Sequence, residues 1–262
     1  MSEEQHAWDD ANLVHVKASG VDGGHCLNRH EGRAKNNSCS HQWQGFKKAE
    51  DFHTDYDWPL YENIAGHQMP FFVKAEKGES SVEWRTVGKP EEGDWDVGKN
   101  YPRKINGETR VNHQDHCNTP YYHEAHHVIP NSTLRLTIVE MFPDEPVTRS
   151  IRGGLLDEGY NLNHKSNMIL LPLGEKVANA LRLPRHRELA MRSHPTYNDN
   201  VATQVKKVLK VNQKNVADCK LVKYSKMKRD LTNLSEKLFD RIKNAGKAAV
   251  GSLDMMSPNR FV

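Results

Sequence analysis

Apolar residues recur with a helical period in three stretches of the second half of the chain, and each stretch predicts an amphipathic helix. We expect Asn131 or Ser132 to cap the first of these helices and Pro143 to end it. Residues 201–262 hold 14 basic and 5 acidic residues, so the polar face of the last helix is a candidate surface for a phosphate backbone. The three apolar sets are Leu134, Ile138, Met141 and Phe142; Val201, Val205, Val208 and Leu209; and Met227, Leu231, Leu234, Leu238, Phe239 and Ile242.

Shorter apolar or alternating runs predict strands. Met69–Lys74 and Val82–Val87 are separated by a glycine-containing turn and predict a β-hairpin in the first hundred residues. Met168–Leu171 predicts a strand that Pro172 ends. Arg149–Glu158 contains two glycines and predicts a connection. Strands and helices of these kinds, not in strict alternation, predict an α+β fold.

Five of the fifteen histidines lie between positions 113 and 127, and this concentration indicates a metal or proton-transfer site. Read from His123, the sequence is H-E-x-x-H, as in zinc metalloproteases, where two histidines share one helix face and Glu124 activates water. That interpretation requires a helix over 121–129. Pro120 and Pro130 disfavour such a short helix.

Read from Ala125, the same stretch predicts a short strand that ends in His126 and His127. Successive side chains of a strand point in opposite directions, so one histidine can hold a metal while the other faces a substrate. The helical and extended interpretations exclude each other.

Several motifs in the order of the chain together resemble the AHH branch of the HNH nucleases, a family common among bacterial toxin domains. They span about residues 120 to 205 and are Ala125–Pro130, Gly159–Asn163, Asn167, Leu171–Pro172 and His194-Pro195-x-Tyr197-Asn198. Met168 departs from the family, which usually has glycine after the asparagine. The resemblance implies a ββα-metal (HNH-like) nuclease module with flanking helices, following an N-terminal region that contains the β-hairpin.

The resemblance also implies roles for the histidines. His126 is expected to bind the metal and His127 to act as the general base. His194 is expected to complete the metal site from the start of a helix. His186 and His164 are alternative candidates for a further ligand.

Two asparagines and four arginines complete the candidate site. Asn167 is expected to hold His127 toward the scissile phosphate, and Asn163 is the alternative for that role. Four arginines near the proposed helix are candidates for holding the nucleic-acid phosphates. They are Arg182, Arg185, Arg187 and Arg192.

The function implied by the resemblance is a metal-dependent endonuclease that hydrolyses DNA with low sequence specificity. The metal is expected to be one divalent ion, Mg²⁺ or Zn²⁺, with Mn²⁺ and Ni²⁺ as further options. The family further implies an interbacterial toxin, a secretion apparatus or adaptor that delivers it to a target cell, and a cognate immunity protein. Three alternatives stay open: a zinc metalloprotease, an RNase of the same fold, and a non-catalytic zinc-stabilised nucleic-acid binder.

Charge divides the chain near position 100. Residues 1–100 hold 11 basic and 18 acidic residues and all five tryptophans, whereas the remainder is strongly basic. We therefore predict an acidic N-terminal region of accessory function, residues 1–100, and a nuclease domain with basic C-terminal helices, residues 101–262. The chain contains no apolar run long enough for a membrane span, and residues 1–6 do not resemble a Sec signal, so export would use another route.

The N-terminal region contains a second group of potential metal ligands. His25, Cys26, His30, Cys39 and His41 lie within a loop rich in glycine, asparagine and serine. Thiolate and imidazole are zinc ligands, but the spacing matches no common zinc module. A structural Zn²⁺ and unpaired surface histidines are the two alternatives for this loop.

Overall fold

The computed structural model describes residues 14–17, 19, 23–30, 35–51, 68–74, 80–86, 93–101, 104, 107–114, 119–188, 193–218, 220–248 and 251–256. Within these ranges the protein is a mixed α/β structure with small sheets and six α-helices. The strands are β1 His15–Lys17, β2 Gly24–Cys26, β3 Gln68–Lys74, β4 Ser80–Thr86, β5 His123–His127 and β6 Met168–Pro172. The helices are α1 His41–Asp51, α2 Asn131–Met141, α3 Glu145–Asp157, α4 Glu175–Leu181, α5 Pro195–Ala217 and α6 Tyr224–Lys247.

Strands β5 and β6 form the antiparallel pair that carries the histidines, with His127 opposite Met168 and His123 opposite Pro172. Every residue of β6 is buried, so this pair must be covered on both faces. Helix α1 packs on it at Gly45, where an added Cβ would lie 3.0 Å from the Cβ of Ala125. The glycine therefore allows a helix from the first fifty residues to approach the histidine strand closely.

Most elements predicted from periodicity are present. Strands β3 and β4 form the expected antiparallel hairpin; its turn lies outside the described residues. Helices α2, α5 and α6 follow the three apolar stripes, and α5 begins immediately after His194. The predicted cap of α2 is wrong, because Pro130 occupies the N-cap without a side-chain bond and Asn131 instead donates to Asn28.

The prediction of a connection over Arg149–Glu158 is also wrong, because helix α3 occupies most of this segment. The side chain of Asp144 accepts a hydrogen bond from the Val147 amide and caps the helix, and Ile151, Leu155 and Leu156 lie on its buried face. Two adjacent glycines lower helix propensity. Capping and burial of the apolar face outweigh that cost here.

One hydrophobic core joins segments from both sides of position 100. Val14, Leu27, Ala49 and Trp95 belong to the same buried cluster as the apolar faces of the later helices. The division into residues 1–100 and 101–262 stays a prediction, and the packing shows that it does not separate two cores among the described residues. No helix in the described part of the chain has the length and apolarity to cross a membrane.

Two glycines in helices provide a test of this packing. A Cβ on Gly246 would lie 2.2 Å from the Arg182 carbonyl oxygen, so we expect Gly246→Ala to lower the free energy of unfolding by about 1–3 kcal/mol. A Cβ on Gly153 meets no described atom within 4 Å, so Gly153→Ala is the control and should raise it by about 0.5–1 kcal/mol. Urea unfolding at equilibrium measures both values. Equal stability of the two variants would contradict the packing of α6 on the turn at Arg182.

Candidate active site

The histidine stretch is extended, not helical. Residues 123–127 form strand β5, so the helix that the metalloprotease alternative requires is absent and that interpretation is wrong. Alternation along the strand places Glu124 on the opposite face from His123 and His127. The His123 ring packs against His113 and Tyr121, and its Nδ1 lies 2.9 Å from the Tyr121 carbonyl oxygen.

His126, His186 and His194 form a cluster with the geometry of a metal centre. One ring nitrogen from each lies within 4.8 Å of the other two. The Nε2 atom of His186 is 3.1 Å from Nδ1 of His126. Two imidazole nitrogens bound to one tetrahedral metal at about 2.0–2.1 Å are separated by about 3.3 Å. His126 and His186 therefore already have the spacing of two ligands of one ion, and the third histidine, His194, offers a nitrogen within 4.8 Å of both.

Polar partners orient two of these rings. Nδ1 of His186 bonds a Glu124 carboxylate oxygen, and Arg187 donates to the other carboxylate oxygen at 3.2 Å. Nδ1 of His194 lies 3.0 Å from Oδ1 of Asn198. In both rings, Nε2 is the nitrogen left for the cluster. Carboxylate or amide partners on the remote nitrogen are typical of metal-binding histidines.

Burial favours the neutral, metal-binding form of His126 and His194. Burial and the charges of His194 and His186 hold the pKa of His126 well below its ordinary value, and burial lowers the pKa of His194 to about 4. Burial raises the pKa of Glu124, but the hydrogen bond and charge of His186 outweigh this effect and lower it to about 2. His126 Nε2 is buried and makes no hydrogen bond within the described ranges. Neutral imidazoles are the form that binds a cation.

His127 lies on the other face of β5 and is held by a neutral amide. Its Nε2 is 2.8 Å from Oδ1 of Asn163. Nδ2 of Asn163 donates to the Asn28 carbonyl oxygen, which fixes the amide orientation and makes Oδ1 the acceptor. Nε2 of His127 must then carry the proton, so Nδ1 carries the lone pair. That is the form a general base requires.

The surroundings of His127 keep it neutral. The ring of His41 stacks on it, with centroids 5.5 Å apart and an interplanar angle of 23°. Burial lowers the pKa of His127 to about 4, although the bond to Asn163 raises it, and the charge of Arg29 lowers it further. The imidazole is therefore unprotonated at neutral pH, which is the form that a general base requires.

A family model supplies the decisive comparison. It describes AHH, a nuclease family of the HNH/ENDO VII superfamily with conserved AHH, and it matches residues 108–238. The chain belongs to this family. The A-H-H letters occur at Ala125, His126 and His127, on the strand that supplies His126 to the three-histidine cluster and also carries the buried imidazole of His127. Searches of curated proteins and of solved structures found no match.

The two asparagines of this AHH nuclease have different contacts. Asn167 accepts hydrogen bonds from the Ile129 amide at 2.7 Å and from the Ser235 hydroxyl, and it donates to the carbonyl oxygens of Ile129 and Leu162. It therefore ties the end of β5 to the turn before β6, whereas Asn163 touches the His127 ring directly. His164, the alternative ligand, is exposed and bonds Ser166, away from the three-histidine cluster.

The predicted phosphate-binding arginines are dispersed. Arg187 contacts Glu124, Arg185 bonds Glu188 and the Gly251 carbonyl oxygen, and Arg182 is an exposed residue at the end of α4. Arg192 lies outside the described residues. Of these arginines, Arg187 is the one that lines a cavity of about 370 Å³ beside His186 and Glu124.

Sequence reasoning missed two residues at this cavity. Arg29 is exposed, lines the cavity and lies near enough to lower the pKa of both His126 and His127. His41 lines the same cavity and stacks on His127. Both come from the first fifty residues. No local pattern links them to a site more than eighty residues away, because the link is made by the packing of α1 on β5.

Proposed function

We propose that this chain is a metal-dependent endonuclease of the HNH type that hydrolyses DNA phosphodiester bonds with low sequence specificity. The observation that carries the proposal is the arrangement around β5: a cluster of three histidines on one face, and on the other a buried imidazole whose unprotonated nitrogen is fixed by Asn163. Strands β5 and β6 and helix α5, which His194 caps, would form the ββα-metal module.

HNH-type nucleases use a divalent metal, and His126, His186 and His194 would hold it here. Three imidazole nitrogens suit Zn²⁺ or Ni²⁺ better than Mg²⁺, which prefers oxygen ligands. When bound, the ion supplies positive charge that stabilises the phosphate and the departing 3′ oxygen. Mn²⁺ and Mg²⁺ remain metals to be tested.

The residues of the chain would supply the remaining chemistry. His127 would remove a proton from the attacking water through Nδ1, and the imidazolium that forms would keep its Nε2 bond to Asn163. Arg29 and Arg187 line the neighbouring cavity and would bind phosphate oxygens. Glu124 would orient His186 rather than activate water.

Low sequence specificity follows from the kind of contacts available. The side chains that line the cavity are mostly charged or imidazole groups, which suit a phosphate backbone. Helices α5 and α6 add many exposed lysines on the basic half of the chain. The same surface would bind RNA, so RNA is the alternative substrate.

The biological role that we propose is an interbacterial toxin that acts in the cytoplasm of a target cell. It rests on the occurrence of the family among toxin domains. A cognate immunity protein would present acidic groups to the basic surface, and a secretion component or adaptor would deliver the toxin. Cytoplasmic expression in a bacterium tests the toxicity: the wild type should degrade DNA and arrest growth, and His127→Ala should do neither. Normal growth with the wild type would contradict the role.

Cleavage of supercoiled plasmid by the purified protein tests the activity. We expect no cleavage in EDTA and nicking followed by degradation after Zn²⁺, Ni²⁺, Mn²⁺ or Mg²⁺ is restored, with cut sites spread along the sequence. Single-stranded RNA and casein are incubated in parallel. Cleavage of RNA alone would move the substrate to RNA, casein cleavage would overturn the nuclease assignment, and tight DNA binding without cleavage in any metal would make the chain a binding protein.

Replacing Glu124 tests the orientation of His186. Glu124→Gln keeps the size of the side chain but removes the charge that pairs with His186 and Arg187. We expect the metal concentration for half-maximal cleavage to rise by about 10–100-fold, with the rate at saturating metal largely preserved. Glu188→Gln, which removes a neighbouring carboxylate that pairs with Arg185, is the control and should leave the metal requirement unchanged. If Glu124 were the base that activates water, the rate at saturating metal would fall instead.

A further inference from the structure

A second cluster of metal ligands lies in the N-terminal region, on strands β1 and β2 and the loop that follows. His15, Cys26 and Cys39 each offer a ligand atom within 4.8 Å of the others. His30 joins them, since its Nε2 is 3.8 Å from Sγ of Cys26. All four residues are buried, and no disulfide joins Cys26 to Cys39.

The distances between the ligand atoms of this cluster are short enough for all of them to bind one metal ion. Sγ of Cys39 is 3.7 Å from Nδ1 of His15, close to the separation of about 3.6 Å that a sulfur and a nitrogen have on one tetrahedral Zn²⁺. Sγ of Cys26 lies 2.6 Å from Nδ1 of His15 and 2.9 Å from Sγ of Cys39. The two sulfur atoms are closer than the roughly 3.5–4.0 Å at which non-bonded atoms rest, yet well beyond a disulfide bond of about 2.05 Å. An ion between them would separate these crowded atoms.

We infer that His15, Cys26, His30 and Cys39 form a structural zinc site, distinct from the three-histidine cluster. Two thiolates and two imidazoles make up a common closed tetrahedral set, and the two thiolates neutralise the charge of the ion. Four protein ligands fill the tetrahedron, so no coordination position stays open as it does in a catalytic site. His25 and His41, which the sequence also suggested, do not belong to the set: His25 lies against Gly159, and His41 stacks on His127.

The backbone around this site reaches the proposed general base. Asn161, two residues before Asn163, donates to the Ser38 carbonyl oxygen at 2.8 Å, and the Leu162 amide donates to the Cys26 carbonyl oxygen at 2.7 Å. Asn163 itself donates to the Asn28 carbonyl oxygen and bonds His127.

The second connection runs through His41, whose Nδ1 lies 2.7 Å from the His30 carbonyl oxygen and whose ring stacks on His127. The zinc site would therefore fix the loop that positions Asn163 and His41. This positioning role rests on the proposed function, whereas the site itself does not.

The first experiment uses the wild-type protein loaded with Co²⁺ in place of the native metal. Only a site with cysteine ligands gives thiolate-to-cobalt charge-transfer absorption, so this signal separates the N-terminal site from the three-histidine site. We expect the absorption to appear with one equivalent of Co²⁺ in the N-terminal site and to disappear when Zn²⁺ displaces it. Absence of the charge-transfer band, or an intact mass 2 Da lower from a Cys26–Cys39 disulfide in the purified protein, would overturn the proposal.

Variants then test the ligand set and the positioning role. Cys39→Ser should lose the charge-transfer band and one equivalent of zinc. His25→Gln, a change beside Cys26 on β2, should retain both and serves as the matched control. We expect the turnover rate of Cys39→Ser to fall by about 10-fold or more at saturating metal, because the loop that positions Asn163 would no longer be fixed by the zinc ion. A lost band with wild-type turnover would overturn the positioning role. If the nuclease proposal were wrong, the wild type would show no turnover but would still give the charge-transfer band.

Discussion

His127→Ala should reduce the plasmid-cleavage rate at saturating metal by about 10²–10⁴-fold, the range that a positioned acid–base group contributes. The variant removes the imidazole whose Nδ1 would take the proton and leaves His126, His186 and His194 in place. The metal concentration for half-maximal activity of the residual reaction should therefore not change. The measurement is the rate of plasmid nicking as a function of metal concentration.

The control for this prediction is His164→Ala. His164 follows Asn163 in the chain, is exposed, and belongs to neither of the two clusters of potential metal ligands. Its loss should therefore leave the cleavage rate and the metal requirement unchanged. Thermal unfolding of both variants excludes a loss of fold as the cause. A His127→Ala protein that is folded and cleaves plasmid at the wild-type rate would exclude His127 as the general base.

The sequence predicted the parts of this site that depend on local pattern. The prolines on either side of the histidine stretch and the β-branched Val128 and Ile129 indicated an extended segment, and β5 is a strand. Alternation then placed His126 and His127 on opposite faces. The family resemblance, which the family model confirms, supplied the order of the later landmarks. Helices α5 and α6 followed from apolar stripes that are buried in the fold.

Contacts between distant segments were beyond such reasoning. His15 was not recognised as a potential metal ligand, because it is eleven residues from Cys26 and meets it through the pairing of β1 with β2. His41, the first residue of α1, reaches the active site because Gly45 lets this helix approach Ala125, and Arg29 lines the same cavity from the preceding segment. Helix α3 was missed because its two glycines suggested a loop, whereas the cap at Asp144 and the buried face decide its structure.

The first fifty residues contribute directly to the candidate active site. The acidic N-terminal region was expected to be an accessory unit, yet it supplies a wall of the cavity, the ring that stacks on His127 and the carbonyl that orients Asn163. The proposed general base, His127, therefore contacts residues from outside the span of the family match, which begins at residue 108. Changes in the first fifty residues should therefore alter turnover without removing His126, His186 or His194.

His194→Ala should produce the opposite kinetic profile to His127→Ala. His194 stands at the start of α5, its Nδ1 is held by Asn198, and its other nitrogen faces the cluster with His126 and His186. Loss of a direct ligand should raise the metal concentration for half-maximal cleavage by more than the roughly 10–100-fold that removal of an outer partner causes.

Activity of His194→Ala should return in part at high metal concentration, because His127 and Asn163 are intact and the two remaining histidines still bind the ion weakly. Asn198→Ala removes only the partner of His194 and should give a smaller shift in the same direction. Both are measured as cleavage rate against metal concentration, with thermal unfolding as the check on folding. If His194→Ala instead lowered the rate at saturating metal and left the metal requirement at its wild-type value, the three-histidine cluster would not be the metal site, because a lost ligand must weaken binding of the ion before it affects the chemistry.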